Sequence, residues 1–185
     1  MDHANPQAVI EIGARPRVLV VQPNRNYLGV LTRRIGEAGY RVSTADGAQA
    51  ALAELHRMQP DLLLSELTMK ETSGVELAQM IREDPVHRDL PLIMMGSRSE
   101  AGIAIRALRA GSDDVVRKPF HFEVLIARIA RQIARARGVK ELREANATLD
   151  ARIVTRAIEL GEIRDRLAVS EAERQRLQSL VARAA

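Results

Sequence analysis

The chain has 185 residues, with 28 Lys+Arg against 24 Asp+Glu, and 46% of its residues are hydrophobic. This composition supports a buried core and excludes global disorder, and the length predicts one domain with an appendage or two small domains. The absence of cysteine excludes disulfides, thiolate catalysis and cysteine-ligated zinc. No apolar run approaches the roughly 18 residues of a membrane span, and Met1–Ala14 lacks the apolar region of a signal peptide. We therefore expect a soluble cytoplasmic protein that does not associate with membranes.

Short apolar runs alternate with stretches of helical periodicity over residues 17–137. The run Arg17–Val21 ends at Gln22, Pro23 and Asn24, which is typical of a buried strand followed by a turn. Helices are predicted where apolar residues recur three or four positions apart and where Pro or Gly closes the segment. In chain order, the predicted elements are strand 17–21, a helix through 27–35, strand 40–44, helix 48–58, strand 61–65, helix 75–82, strand 91–95, helix 101–110, strand 115–116 and helix 120–137.

Strands that are apolar throughout and alternate with helices predict a doubly wound α/β fold, in which helices cover both faces of a parallel sheet. Ligands of such sheets bind at the carboxyl ends of the strands. We therefore expect a functional site among the residues at these ends, which are Gln22, Pro23, Glu66, Gly96, Ser97 and Lys118.

Several sequence blocks within residues 16–137 together resemble a bacterial response-regulator receiver domain. None of the blocks is specific alone, but all occur in the order of that family. The resemblance implies a flavodoxin-like fold with a five-stranded parallel sheet. Residues 1–15 are polar and irregular, which predicts a flexible N-terminal arm before this domain. The blocks are Val18–Val21, Ala45–Gly47, Pro60–Met69, Gly74, Pro91–Met95, Arg98–Glu100, Gly111–Asp114 and Lys118–Phe120.

The resemblance implies phosphotransfer chemistry, and this sequence departs from it at most positions. Family members transfer a phosphoryl group from a histidine kinase to an aspartate. An acidic pair holds Mg²⁺, and a hydroxyl and a lysine stabilise the phosphoryl oxygens. Here Glu66 stands at the phosphoacceptor position, Gln22 and Pro23 at the acidic pair, Gly96 at the hydroxyl and Val115 at the aromatic switch, while Lys118 and Pro119 are retained.

These substitutions predict that the domain has lost Mg²⁺ binding and uses no cofactor. Pro23 has no side-chain ligand, and Gln22 offers only a neutral amide oxygen. Glu66 is one methylene longer than aspartate, so we expect its carboxylate to form an ion pair with Lys118 that resembles part of a phosphorylated state. The alternative is that Glu66 is an ordinary polar residue in an unused site. The family resemblance also implies a cis peptide bond between Lys118 and Pro119.

Residues 138–185 carry a heptad repeat that predicts a parallel dimeric coiled coil. With Val139 at position a, ten of the fourteen a and d positions are apolar. Asn146 at an a position would pair with its own copy across the dimer and fix the register. The alternative is a single amphipathic helix that folds onto the preceding domain. The residues of the predicted seam are Val139, Leu142, Asn146, Leu149, Ile153, Leu160, Ile163, Leu167, Leu177 and Val181.

We expect a non-enzymatic signalling protein that acts as a homodimer by binding a protein partner, either a histidine kinase or an output protein. In the first alternative, phosphate is accepted at Glu66, Ser65 or Ser97, or the chain is the regulatory half of a longer receiver–output protein. The second alternative is nucleic-acid binding through the basic stretch Arg128–Arg137. We do not favour it, because aromatic residues make up only 2% of the chain and base stacking needs them.

Overall fold

The computed structural model of the protein describes residues 15–97 and 101–184. Most of the arm at 1–15 and the whole Arg98–Glu100 block, both of which appear in the sequence predictions, lie outside these ranges. Within them, five strands alternate with five helices. The elements are β1 Arg17–Val21, α1 Arg25–Glu37, β2 Arg41–Ala45, α2 Ala48–Arg57, β3 Leu62–Glu66, α3 Gly74–Glu83, β4 Leu92–Ser97, α4 Ala101–Arg109, β5 Asp114–Lys118 and α5 Phe122–Ala184.

All neighbouring strands are parallel, in the order β2-β1-β3-β4-β5. The predicted five-stranded doubly wound sheet is therefore confirmed. The strand β5 is longer than the predicted strand 115–116, because its outer residues Asp114, Arg117 and Lys118 are polar and do not extend the apolar run. The strand order reverses between β1 and β3, and doubly wound sheets bind ligands at the carboxyl ends of strands at such a point.

Helices pack on both faces of the sheet. Leu63 of β3 belongs to an apolar layer with α2, α3 and α4, whereas Leu62 and Leu64 of the same strand pack in a second layer with α1 and α5. Successive side chains of a strand point to opposite faces, so a strand that is buried on both faces must be apolar at every position. The continuous apolar strands in the sequence thus have a direct cause in the two helical layers.

The start of α3 is fixed tightly against the end of β3. Ser73 and Glu76 form a reciprocal capping box, in which the Ser73 hydroxyl accepts from the Glu76 backbone N–H. The Gly74 N–H donates to the Leu67 carbonyl at 2.9 Å. A Cβ atom at Gly74 would lie 2.6 Å from the Glu66 carbonyl oxygen, so only glycine fits there without a shift of backbone. Helix α3 therefore holds the backbone around Glu66 in place.

The chain divides into two units after Arg137, and the second unit comprises the part of α5 from Gly138 onward. Apolar side chains at the predicted a and d positions of this unit are exposed, from 41% at Val139 to 67% at Leu142. The side chains of Leu177 and Val181 are outside the described part of the structure. A long apolar stripe on one helix is unfavourable in water unless another surface covers it.

No helix within residues 15–97 and 101–184 combines the length and the apolar character that crossing a membrane requires.

We predict that Gly74→Ala destabilises the first unit by about 1–3 kcal/mol, because the added methyl group meets backbone atoms that cannot move away easily. Gly29→Ala is the matched control, since nothing lies within 4 Å of a Cβ there and alanine favours a helix interior. Both tyrosines lie in this unit and the chain has no Trp, so tyrosine fluorescence in urea reports its unfolding. Equal stability of the two variants would contradict the close approach at Gly74.

Candidate functional site at the carboxyl ends of the strands

Three polar side chains meet at the carboxyl edge of the sheet. Gln22 follows β1 directly, Glu66 is the last residue of β3 and Lys118 is the last residue of β5. Strand β4 lies between the last two, with Met95 paired to Glu66 and Ser97 paired to Lys118. The long lysine side chain therefore reaches across the end of β4 to the carboxylate.

The Glu66 carboxylate accepts two hydrogen bonds at the same oxygen, Oε2. Lys118 Nζ donates one of them in a direct ion pair, and Gln22 Nε2 donates the other at 2.5 Å. Gln22 is only 3% exposed, and its Oε1 accepts from the Asn24 backbone N–H at 3.0 Å. Because Asn24 uses the amide oxygen, Gln22 presents its nitrogen to Glu66. The carboxylate is thus enclosed by one cationic donor and one neutral donor.

The Lys118 ammonium also lies over the Tyr27 ring, 4.7 Å from its centroid. A cation on an aromatic face is attracted by the electron density of the ring. Burial raises the pKa of the Tyr27 hydroxyl, and the nearby negative charge of Glu66 raises it further. Lys118 therefore has two partners at the edge of the sheet, a carboxylate and an aromatic ring.

A cavity of about 870 Å³ opens beside these side chains. Its most buried lining residues are Gln22 and Glu66, whereas Pro23, Asn24 and Lys70 are exposed. Much of the remaining lining is aromatic or apolar. The full lining consists of Gln22, Pro23, Asn24, Tyr27, Glu66, Thr68, Met69, Lys70, Lys118, Pro119, Phe120 and Phe122.

A comparison with protein families identifies the family of this chain, and the result agrees with the fold described above. The sequence model of the response regulator receiver domain matches residues 18–130, which is more than half of the chain. The chain belongs to this family. The matched residues include β2 to β5, all of β1 except Arg17, and the three side chains that meet at the strand ends.

Two of the curated relatives of this receiver are named transcriptional regulatory proteins. The phosphate regulon transcriptional regulatory protein PhoB of Rhizobium meliloti is 36% identical over 123 residues, covering 66% of this chain and 54% of the relative. The transcriptional regulatory protein PrrA of Mycobacterium leprae is 35% identical over 124 residues, covering 66% of this chain and 52% of the relative. The chain therefore spans about half the length of the curated relatives it matches.

Solved structures show the same fold. The signal receiver domain of a signal transduction histidine kinase from Syntrophus aciditrophicus is 26% identical, with a TM-score of 0.61 over 64% of this chain and 90% of that chain. The chemotaxis protein CheY4 of Vibrio cholerae is 24% identical, with a TM-score of 0.60 over 64% of this chain and 98% of that chain. The latter likeness concerns the fold alone.

The other positions singled out in the receiver sequence lie around the same edge. Gly96 is buried on β4 and offers no hydroxyl, while Val115 on β5 packs against the layer formed by α2, α3 and α4. Pro119 follows Lys118 through a cis peptide bond. Pro23 lies beside Gln22 at the rim of the cavity. The Ser65 hydroxyl is buried and donates to the Glu66 carbonyl at 3.0 Å.

The basic stretch of α5 is partly engaged within the receiver. Arg128 donates to both carboxylate oxygens of Asp114, at 2.7 and 2.6 Å. Arg137 donates to Asp61 at 3.1 Å. Two of the four clustered arginines therefore bind the receiver's own carboxylates, although Arg137, like Arg131 and Arg135, remains exposed.

Sequence reasoning missed the aromatic part of this site. From the sequence, Tyr27 is predicted only as part of the helix through 27–35, and Phe120 only as part of a family block and as the start of the helix over 120–137. Tyr27 lies in the first turn of α1, and Phe120 follows Lys118 by two residues. Both therefore lie just after the end of a predicted strand, and this position could have identified them as candidates for the site. Tyr27 contacts Lys118, and both rings line the cavity. These placements depend on how the start of α1 lies relative to the end of β5, which one sequence does not reveal.

We predict that Glu66→Gln lowers the free energy of unfolding by about 1–3 kcal/mol, between the values for exposed and buried pairs. The side chains of Lys118 and Glu66 are 27% and 12% exposed, so the substitution leaves a partly buried ammonium without its carboxylate. The control is Glu54→Gln, which removes a pair with the largely exposed Arg57 and should cost less than about 0.5 kcal/mol. Urea unfolding followed by tyrosine fluorescence measures both. Equal losses would mean that water screens the Glu66–Lys118 pair fully.

Proposed function

We propose that this protein is a non-catalytic signalling adaptor, a receiver that acts by binding a protein partner and not by accepting a phosphoryl group. The partner is a histidine kinase or an output protein of a two-component pathway. The observation that carries the proposal is the contact of Glu66 with Lys118 and Gln22, which occupies the phosphoacceptor position with a permanent negative charge. In this account, the receiver holds its signalling state without phosphorylation.

The residues at the site do not fit Mg²⁺. This ion takes oxygen ligands in near-octahedral geometry. Pro23 has no donor atom in its side chain, and Gln22 turns its amide nitrogen, not its oxygen, toward Glu66. Among the residues that the structure describes, no group of three His, Cys, Asp or Glu side chains could hold a metal ion. We therefore assign no step of the function to a metal.

A carboxylate in this arrangement is poorly suited to attack a phosphoryl group. Both donors bind Glu66 Oε2, so attack from this atom requires loss of the ion pair or of the 2.5 Å bond to Gln22. The charge that develops in phosphoryl transfer would also lack the metal ion that normally neutralises it. Ser65 is an equally poor acceptor, because its hydroxyl is fully buried.

The competing function is that of a phosphotransfer-regulated response regulator, or of the regulatory half of a longer receiver–output protein. The relatives favour this alternative, since they are named transcriptional regulatory proteins and are about twice as long as the aligned region. In that case, phosphate would be accepted at a non-standard residue. Phosphorylation of the purified protein discriminates the two functions.

We further propose that α5 forms a parallel coiled-coil homodimer from Val139 onward. The support is the exposed apolar stripe at a and d, together with the placement of charge beside it. Glu159 at position g would face Arg164 at position e of a second copy, which is attractive in a parallel pair. At 1.5 Å per residue the coil would be about 70 Å long.

Binding of nucleic acid by the receiver's own basic stretch is not part of the proposal. Arg128 and Arg137 donate to Asp114 and Asp61, so both guanidinium groups already have carboxylate partners within the domain. A steep decrease of DNA affinity with salt would argue against this view.

We predict that a small phosphodonor such as acetyl phosphate, with millimolar Mg²⁺, adds no phosphoryl group to the protein. Intact-mass spectrometry measures this directly. Glu66→Asp alone should also remain unmodified, because the acidic pair is still absent. A Mg²⁺-dependent phosphoryl adduct on the unaltered chain would establish the competing function.

The positive control is the triple variant Gln22→Asp, Pro23→Asp and Glu66→Asp. It places three carboxylates beside Lys118, where two could hold the ion and the third could act as nucleophile. We expect a Mg²⁺-dependent adduct on this variant, provided that circular dichroism shows it folded.

We predict that the full chain is a dimer at micromolar concentration and that Leu149→Glu with Ile153→Glu converts it to a monomer, since the new charges lie in the seam. Val154→Glu is the control, because Val154 is similarly exposed, at 59%, but occupies position b. Light scattering gives the masses. A monomeric mass for the unaltered chain would reject the coiled coil.

The direction of the coil is tested separately. The chain has no cysteine, so Lys140→Cys introduces a unique site for a spin label. A parallel dimer brings the two labels within about two helix diameters, or roughly 20–25 Å, whereas an antiparallel coil separates them by most of its length. The distance between the two spin labels, measured by double electron–electron resonance, would exclude one of the two arrangements.

A further inference from the structure

The aromatic cavity beside Glu66 has no role in a receiver that takes no phosphoryl group. Its volume of about 870 Å³ lies within the range of roughly 300–1,000 Å³ that is usual for small-molecule sites. Such sites are lined mainly by apolar and aromatic side chains with a few polar groups. Three rings line this cavity, those of Tyr27, Phe120 and Phe122.

These rings are held by contacts within the receiver. Phe120 and Phe122 pack edge to face, with centroids 5.7 Å apart, and the Arg34 guanidinium lies 5.2 Å from the Phe122 centroid. The Tyr27 ring carries the Lys118 ammonium on one face. The rings therefore need little rearrangement to receive a flat apolar group, which lowers the entropic cost of binding.

The charged side chains of the lining determine which charge a ligand of this cavity can carry. Glu66 and Lys118 neutralise each other, so the inner part of the cavity attracts neither a phosphate nor a divalent cation. Lys70, in contrast, is exposed and has no hydrogen-bond or ion-pair partner among the described residues. It is the one charged group of the lining that is without a counter-charge in the lining.

We propose that this cavity binds a small planar aromatic molecule that carries one negative charge. Its ring packs against Tyr27, Phe120 and Phe122, and its anionic group contacts Lys70. Binding of such a ligand beside the Glu66–Lys118 pair would supply a chemical input in place of phosphorylation. This last consequence rests on the proposed function, whereas the binding itself does not depend on it.

The test uses 2-naphthoate as the probe and the full-length protein in isothermal titration calorimetry. We expect one saturable site per chain, and weaker binding of the neutral 2-naphthylmethanol. Lys70→Glu should raise the Kd for 2-naphthoate about tenfold, because it replaces a favourable charge contact by a repulsive one. Lys140→Glu, a charge reversal at another exposed lysine, which lies on the second unit, should leave the Kd unchanged.

A second variant tests the aromatic wall. Tyr27→Leu should weaken binding several-fold through loss of one ring face, and Lys70→Glu stays informative if Tyr27→Leu fails to fold. Absence of saturable binding up to millimolar probe would overturn the proposal. So would binding that neither variant changes, which would place the probe on another apolar surface, such as the exposed stripe of α5. Phosphorylation is measured separately, so either proposal can fail alone.

Discussion

Lys118 and Glu66 stand at the ends of two strands that do not pair with each other, and their side chains meet across the end of β4. This ion pair determines which chemistry remains available at the edge of the sheet. Gln22 donates to the same carboxylate oxygen, so Glu66 Oε2 accepts both hydrogen bonds.

The surroundings of the pair have the character of a binding site. The cavity beside it is aromatic, and the cation Lys118 lies against the Tyr27 ring. Helix α3 holds the backbone of Glu66 through Gly74, where a larger residue does not fit. In the second unit, the apolar stripe of α5 is exposed, and we propose that a second copy covers it. Signalling by this protein would then depend on which surfaces it presents, and dimerisation would present them in pairs.

The sequence was sufficient to predict the sheet, because strands buried on both faces are apolar at every position. It also located the residues at the strand ends, since the family blocks align without gaps through Lys118. The orientation of the Gln22 amide could not be predicted, because it depends on the Asn24 N–H that takes its oxygen. The residue at which α5 ends could not be predicted either. Gly138 makes the helix about 1 kcal/mol less favourable than alanine would, which is too little to end a long helix.

The most direct test of the account is a double-mutant cycle between Glu66→Gln and Lys118→Met, with unfolding free energies measured in urea. The cycle isolates the interaction of the two side chains from the cost of each substitution alone. We expect a favourable coupling energy of about 1–3 kcal/mol, as for a partly buried pair. A coupling energy of zero within error would mean that the contact does not hold the site, and the account of a permanently occupied phosphoacceptor position would be wrong.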